Sequence, residues 1–238
     1  MLTIHSSPHC PAPGYETWPN FANPNVTVSE ARIAAPMTAP VPEFTPDATS
    51  TATVGIAPLR IGSAADPHAW QSVADARIYV ANIRDALVTA DPADAAAFRA
   101  NAVTYLAKLD ALDQEVRSAI AQIPPARRKV ISTHDAFGYF AAAYGIEFIA
   151  PLGVSTEAEV SARDIARIIT QVKALGIPAV FLENISDDRL MRRISAETGA
   201  KVGGTLFSDS LTGEKGPAPT YIELVRHNIK ALTSALAN

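Results

Sequence analysis

The stretch KVISTHDAFGYFAAAYGIEFIA, Lys129–Ala150, decides the fold. Lys129–Thr133 reads as a short buried strand, and Ala136–Tyr144 is a helix pattern of small and aromatic residues that Gly145 ends. Ile146–Ala150 is a second strand. A strand, a helix and a second strand joined by connections this short imply parallel pairing through a crossover. At the exit of the first strand stand His134 and Asp135, in a chain that has only five histidines.

The same alternation continues downstream. Ser161 with Asp164 opens a helix whose Ile165, Ile168, Ile169, Val172 and Leu175 face inward, and Gly176 closes it. Ala179–Leu182 is a third strand, Asp187–Thr198 a helix, Lys201–Phe207 a fourth strand and Tyr221–Leu236 a last helix. Residues 126–238 therefore read as an α/β lobe built on a doubly wound parallel sheet, with helices on both faces.

Upstream, residues 66–125 read as helical. Val73, Ala76, Val80, Ile83 and Leu87 recur at three- and four-residue intervals, as one apolar helix face requires. Asp91 can cap a second helix and Pro92 suits its first position. Phe98, Ala102, Tyr105, Leu109, Leu112, Val116, Ile120 and Ile123 then form one stripe that Pro124-Pro125 stops. That is a linking helix of about 30 residues, roughly 45 Å long at its rise per residue.

Residues 1–65 differ. Ten of the 18 prolines precede Pro67, and only six charged residues lie in this part. Proline removes sheet donors, so the segment reads as a largely irregular arm in place of a lobe, with Val41–Ser63 as linker or disordered chain.

Whole-chain totals exclude several classes. A length of 238 residues with 48% hydrophobic and 18% charged residues is ordinary for a globular protein. A net charge of −4 argues against nucleic acid as a partner. No run of 18 apolar residues spans a membrane, and Cys10 alone makes neither a disulfide nor a thiolate zinc cluster. MLTIHSSPHCPAPGYE has no basic start and no apolar run, so no signal peptide is visible. The chain is then either cytoplasmic or not the full natural precursor.

In such a sheet, ligands bind beyond the carboxyl ends of the strands. His134 and Asp135 follow the first strand, Glu183 and Asn184 the third, and Ser208 and Asp209 the fourth. Asp135 and Asp187 read as helix caps, because each precedes a helical run. His134 with an aspartate from another strand end offers the donor types that zinc or manganese uses. His68, in ADPHAW, reads on its own as a surface-turn residue.

Other chemistries fit poorly. Ser132, Ser208 and Ser210 lack a glycine-flanked nucleophile elbow. There is no His-Glu-x-x-His helix, no phosphate loop and no dinucleotide fingerprint. A metal-dependent hydrolase built on His134, Asp135, Glu183 and Asp209 stays open as an alternative.

The motifs DPHAW, STHDAFGYFAAAYGI, STEAEVSARDIARII, FLENISDDRL, GGTLFSDSL and YIELVRHNIKAL succeed one another between Ala65 and Asn238. Together they resemble the zinc/manganese group of periplasmic solute-binding proteins of ABC transporters, which includes adhesin-type lipoproteins. The resemblance implies two α/β lobes tied by one long helix, with the metal between them. It carries the ligand role onto His68, His134 and Asp209, and a supporting place near the site onto Glu183. By the same resemblance, histidine rather than glutamate at position 134 looks zinc-type, with Mn2+ the alternative to Zn2+. His227 reads as structural.

The resemblance thus implies a monomeric, non-enzymatic metal-binding protein of the periplasm whose partner is the membrane permease of an ABC importer. The chain departs from the family pattern in one respect: the resemblance calls for a further amino-terminal histidine in an Asp-Pro-His motif, and neither His5 nor His9 sits in one. The expectation is a protein lacking most of its first lobe behind an unrelated or mistranslated front, with transport impaired or, in the degenerate case, absent.

Overall fold

The computed structural model describes residues 51–62, 64–151, 153 and 161–237. His5, His9, Cys10 and most of the arm, as well as the STEAEV part of one motif, lie outside the described residues.

The last part of the arm is docked, where a linker was expected. Strands β1 (Arg60–Ile61) and β2 (Ala64–Ala65) form a two-residue antiparallel hairpin. Ala52, Ile56 and Leu59 pack against Ala69, Tyr79 and Tyr139, and Asn82 donates to the carbonyls of Ala52 and Val54 at 2.7 and 2.9 Å. Three apolar side chains and a buried tyrosine pair suffice to seat a segment that has no helical or strand period of its own.

Helix α1 (Val73–Ala90) is capped by Ser72, whose hydroxyl accepts from Asp75 N, and it buries Val73, Ala76 and Tyr79. Asp91 caps a 3-10 turn, Pro92–Asp94, that leads into α2 (Ala95–Ala121). The linking helix is thus 27 residues, or about 40 Å, and buries Ala102, Leu109, Leu112, Val116 and Ile120 of the expected stripe. Arg128 closes it by donating to the carbonyls of Ile123 and Ile120.

The main sheet has four parallel strands in the order β4 (Glu147–Ile149), β3 (Lys129–Ile131), β5 (Ala179–Glu183), β6 (Lys201–Leu206). Side-chain alternation splits its faces. Val130 and Phe181 join a core with residues of α1, α2, α3 (Gly138–Tyr144) and α6 (Tyr221–Leu236). Ile131, Val180 and Leu182 join a second core with α4 (Ala162–Leu175) and α5 (Arg189–Thr198). The lobe is doubly wound, as its sequence pattern requires.

Several elements are shorter than expected, and for one kind of reason. β3 stops at Ile131 because the Glu183 side chain takes the amides of Thr133 and His134. β6 stops at Leu206 because Asn228 of α6 binds both Phe207 N and Phe207 O, at 2.8 and 2.7 Å. α5 begins at Arg189, and Asp187 accepts from Arg189 N at 2.9 Å, so it caps from just ahead of the helix. Asp135 is not a cap: α3 starts at Gly138 after Phe137, with no side chain capping it.

Candidate metal centre

The chain turns back on itself between β3 and β5: β4 lies on one side of β3, β5 on the other. That is the switch point where open α/β sheets form their crevice. His134 leaves β3 there, Glu183 ends β5 there, and Asp209 follows β6.

Glu183 builds the frame. Its Oε1 accepts from Thr133 N at 2.7 Å and His134 N at 3.0 Å, and its Oε2 accepts from Ser208 Oγ at 2.9 Å. Three strand exits are therefore tied by one buried carboxylate, whose acceptor sites are largely taken by these donors. Oε2 also stands 2.5 Å from His134 Nδ1.

His68 reaches the same place from another part of the chain. Trp70 Nε1 and Gln71 Nε2 both donate to the carbonyl of Ser208, at 3.0 and 2.9 Å, and Tyr221 OH donates to Trp70 O. This fastens the turn carrying His68 to the residue just before Asp209. His68 is 3% exposed, so its isolated reading as a surface-turn residue is corrected.

Asp209 sits between the two imidazoles. Its Oδ1 is 3.4 Å from His68 Nε2 and its Oδ2 is 3.1 Å from His134 Nε2. One donor atom from each of the three residues lies within 4.8 Å of the others. A tetrahedral zinc with bonds of roughly 2.0–2.1 Å holds neighbouring donors about 3.3 Å apart, close to the two measured spacings. The polar atoms here are also poorly satisfied. His134 Nε2 and Asp209 Oδ1 are buried without a hydrogen bond, and the contacts of the His134 ring to carboxylates are short but not in line. Buried polar atoms are ordinarily paired, so a set of unpaired donors around one point fits a cation.

The charges agree. Burial pulls the His134 imidazole down, but the Asp209 and Glu183 carboxylates outweigh it and raise the pKa to about 9. A positive charge is favoured at this position. Asp135 is half-buried beside the site, and burial followed by the Asp66 carboxylate pushes its carboxyl up.

Of the residues singled out in the sequence, His68, His134, Asp209 and Glu183 come together. Asn184 instead turns to Ser210, donating to its Oγ at 2.6 Å. His227 lies away on α6, its Nε2 2.9 Å from Thr205 O and its ring against Phe207. The sequence pattern did not single out Asp66, Gln71 or Asn228 as functional, and placed Ser208 at a strand exit without a role. Buried polar residues flanking the motif residues were the available signal, but the partners of Gln71, Asn228 and Ser208 lie 21 to 137 positions away, and Asp66, two positions from His68, gives no local sign of its contact.

Three comparisons bear on these features. The family model described as ZnuA, zinc-uptake complex component A, periplasmic, matches residues 13–235. The iron-binding protein YfeA of Yersinia pestis is 38% identical over 190 residues, covering 79% of this chain and 61% of that protein. The manganese-binding lipoprotein MntA of Halalkalibacterium halodurans is 32% identical over 185 residues, 78% of this chain and 62% of that protein. The periplasmic zinc-binding protein TroA from Treponema pallidum shares the fold with a TM-score of 0.74 at 31% identity, covering 78% of this chain and 70% of that one. This chain thus spans about three-fifths of the length of the curated relatives it matches. The family match starts at residue 13, ahead of Ala65, where the resemblance in the motifs begins. The chain belongs to the ZnuA family of periplasmic metal-binding proteins of ABC transporters.

Proposed function

We propose that this protein binds a divalent transition metal through His68 Nε2, His134 Nε2 and the Asp209 carboxylate, and delivers it to the membrane permease of an ABC importer. The convergence of two buried histidines and the partly buried Asp209, with His134 Nε2 and Asp209 Oδ1 lacking hydrogen bonds, is the observation that carries the reading. Zinc is the favoured cargo and manganese the alternative, because two imidazoles and one carboxylate suit both. Glu183 supports the site by orienting His134 without binding the ion. The protein acts as a monomer in the periplasm and has no catalytic role. No helix among the described residues is long and apolar enough to cross a membrane.

Calorimetric titration with zinc and with manganese tests this. Saturable heat is expected in the native protein and none in His134→Ala or Asp209→Ala. Equal heat in the variants would place the ion elsewhere and sink the reading. The same donor set serves hydrolytic zinc sites. Metal-dependent turnover of a simple ester or phosphate would favour a hydrolase instead.

A further inference from the structure

We propose that Asp66 is a positioning residue that holds His68 in the tautomer with its Nε2 lone pair turned toward Asp209, and that a bare Gly138 is what lets it do so. The inference rests on the metal-binding reading but concerns residues outside the donor set. Asp66 is buried, and its Oδ1 accepts from His68 N at 2.9 Å while standing 2.7 Å from His68 Nδ1. A carboxylate only accepts, so the ring proton belongs on Nδ1, and Nε2 is left free on the side where Asp209 Oδ1 lies at 3.4 Å. One oxygen thus grips both the backbone and the ring of His68.

The grip depends on where Asp66 itself is held. Asp66 N donates to Leu59 O at 2.9 Å, and Tyr139 OH bridges the strands by accepting from Leu59 N and donating to Asp66 O. Next to Tyr139, at the start of α3, a Cβ on Gly138 would lie 2.8 Å from Asp66 Oδ2 and 3.7 Å from Leu59 Cδ1. Asp66 Oδ2 has no hydrogen-bond partner of its own and rests on that glycine. Any side chain there must push the carboxylate off its seat, and His68 with it. The docked end of the arm and the first residues of α3 therefore form a shared cradle for a histidine that neither contains.

The experiment uses the full chain with 15N-labelled histidine. In the metal-free native protein, the ring-nitrogen shifts are expected to report His68 as the Nδ1–H tautomer. Asp66→Ala should lose that preference and weaken zinc binding by about tenfold to a hundredfold, the usual effect of removing a partner of a ligating histidine. Asp66→Asn keeps an oxygen acceptor of the same shape, so it should retain the tautomer and most of the affinity. Gly138→Ala should change both readouts in the direction of Asp66→Ala. An unchanged tautomer in Asp66→Ala, or a loss in Asp66→Asn as large as in Asp66→Ala, overturns the inference. If Asp66→Ala does not fold, Asp66→Asn and Gly138→Ala decide it. Should the native protein take up no zinc, the metal reading falls, while the tautomer still decides the role of Asp66.

Discussion

Glu183 accepts from the backbone amide of His134 at 3.0 Å and sets its other oxygen 2.5 Å from ring Nδ1. The residue that ends one strand thereby sets the direction of a side chain leaving the next. Its second oxygen extends the same control to Ser208, the neighbour of Asp209.

Removing that carboxylate should be severe. Glu183→Ala leaves Thr133 N, His134 N and Ser208 Oγ buried without their partner, each costing about 1–3 kcal/mol. A loss of about 3–5 kcal/mol in chemical denaturation is expected, in the range for breaking a buried charged contact. A midpoint within error of the native protein would show that the three exits are held some other way.

Zinc should raise the melting temperature of the native protein. At a free concentration one hundred times the dissociation constant, the gain is about 2.7 kcal/mol of unfolding free energy. His134→Ala should melt at the same temperature with and without zinc. His227→Ala should keep the response, because its ring faces Thr205 O and Phe207 rather than the three donors.

The metal-free protein should have a distinctive pH dependence. His134 is raised from 6.5 to about 9 in the folded state, beside Glu183 and Asp209. Its protonated form therefore contributes stability that is complete below pH 6.5 and is lost as pH rises through about 9. Zinc takes the neutral imidazole, so its stabilising effect should grow over the same interval. Thermal melts at pH 6 and pH 8, with and without zinc, check both signs. A zinc effect that shrinks toward pH 8 contradicts the assignment.

Gly203→Ala should destabilise the lobe without any contact to the donors. The added Cβ would meet the Phe181 ring at 2.5 Å and the Ala235 methyl at 3.0 Å. Phe181 is fully buried and cannot swing away, so about 1–3 kcal/mol of overpacking is expected by urea titration. A neutral result would mean that α6 shifts outward to admit the methyl.

Local patterns were enough to locate the helices and strands from Val73 onward, though not the β1–β2 hairpin ahead of them. α6 runs from Tyr221 to Leu236 as its periodicity and flanking residues indicate, and α4 spans the segment between Ser161 and Gly176. Such signals depend on contacts a few residues apart, which the spacing of side chains along the chain displays directly. Element ends were less accessible. The limits of β3 and β6 are set by Glu183 and Asn228, whose side chains arrive from other elements to take backbone groups that a strand would otherwise use.

For the site, the sequence by itself determined the doubly wound order and hence which end of the sheet would carry His134, Glu183 and Asp209. For His68 the residues by themselves read as a surface turn and only the resemblance implied a ligand; the tertiary structure shows how it joins them, through Trp70 and Gln71 reaching a carbonyl 138 and 137 positions away. Only the tertiary structure placed Asp66 and Gly138 behind that histidine. The physical reason is range. Periodicity and capping are written in neighbouring residues, whereas a hydrogen bond between distant segments exists only once hydrophobic burial has brought them together.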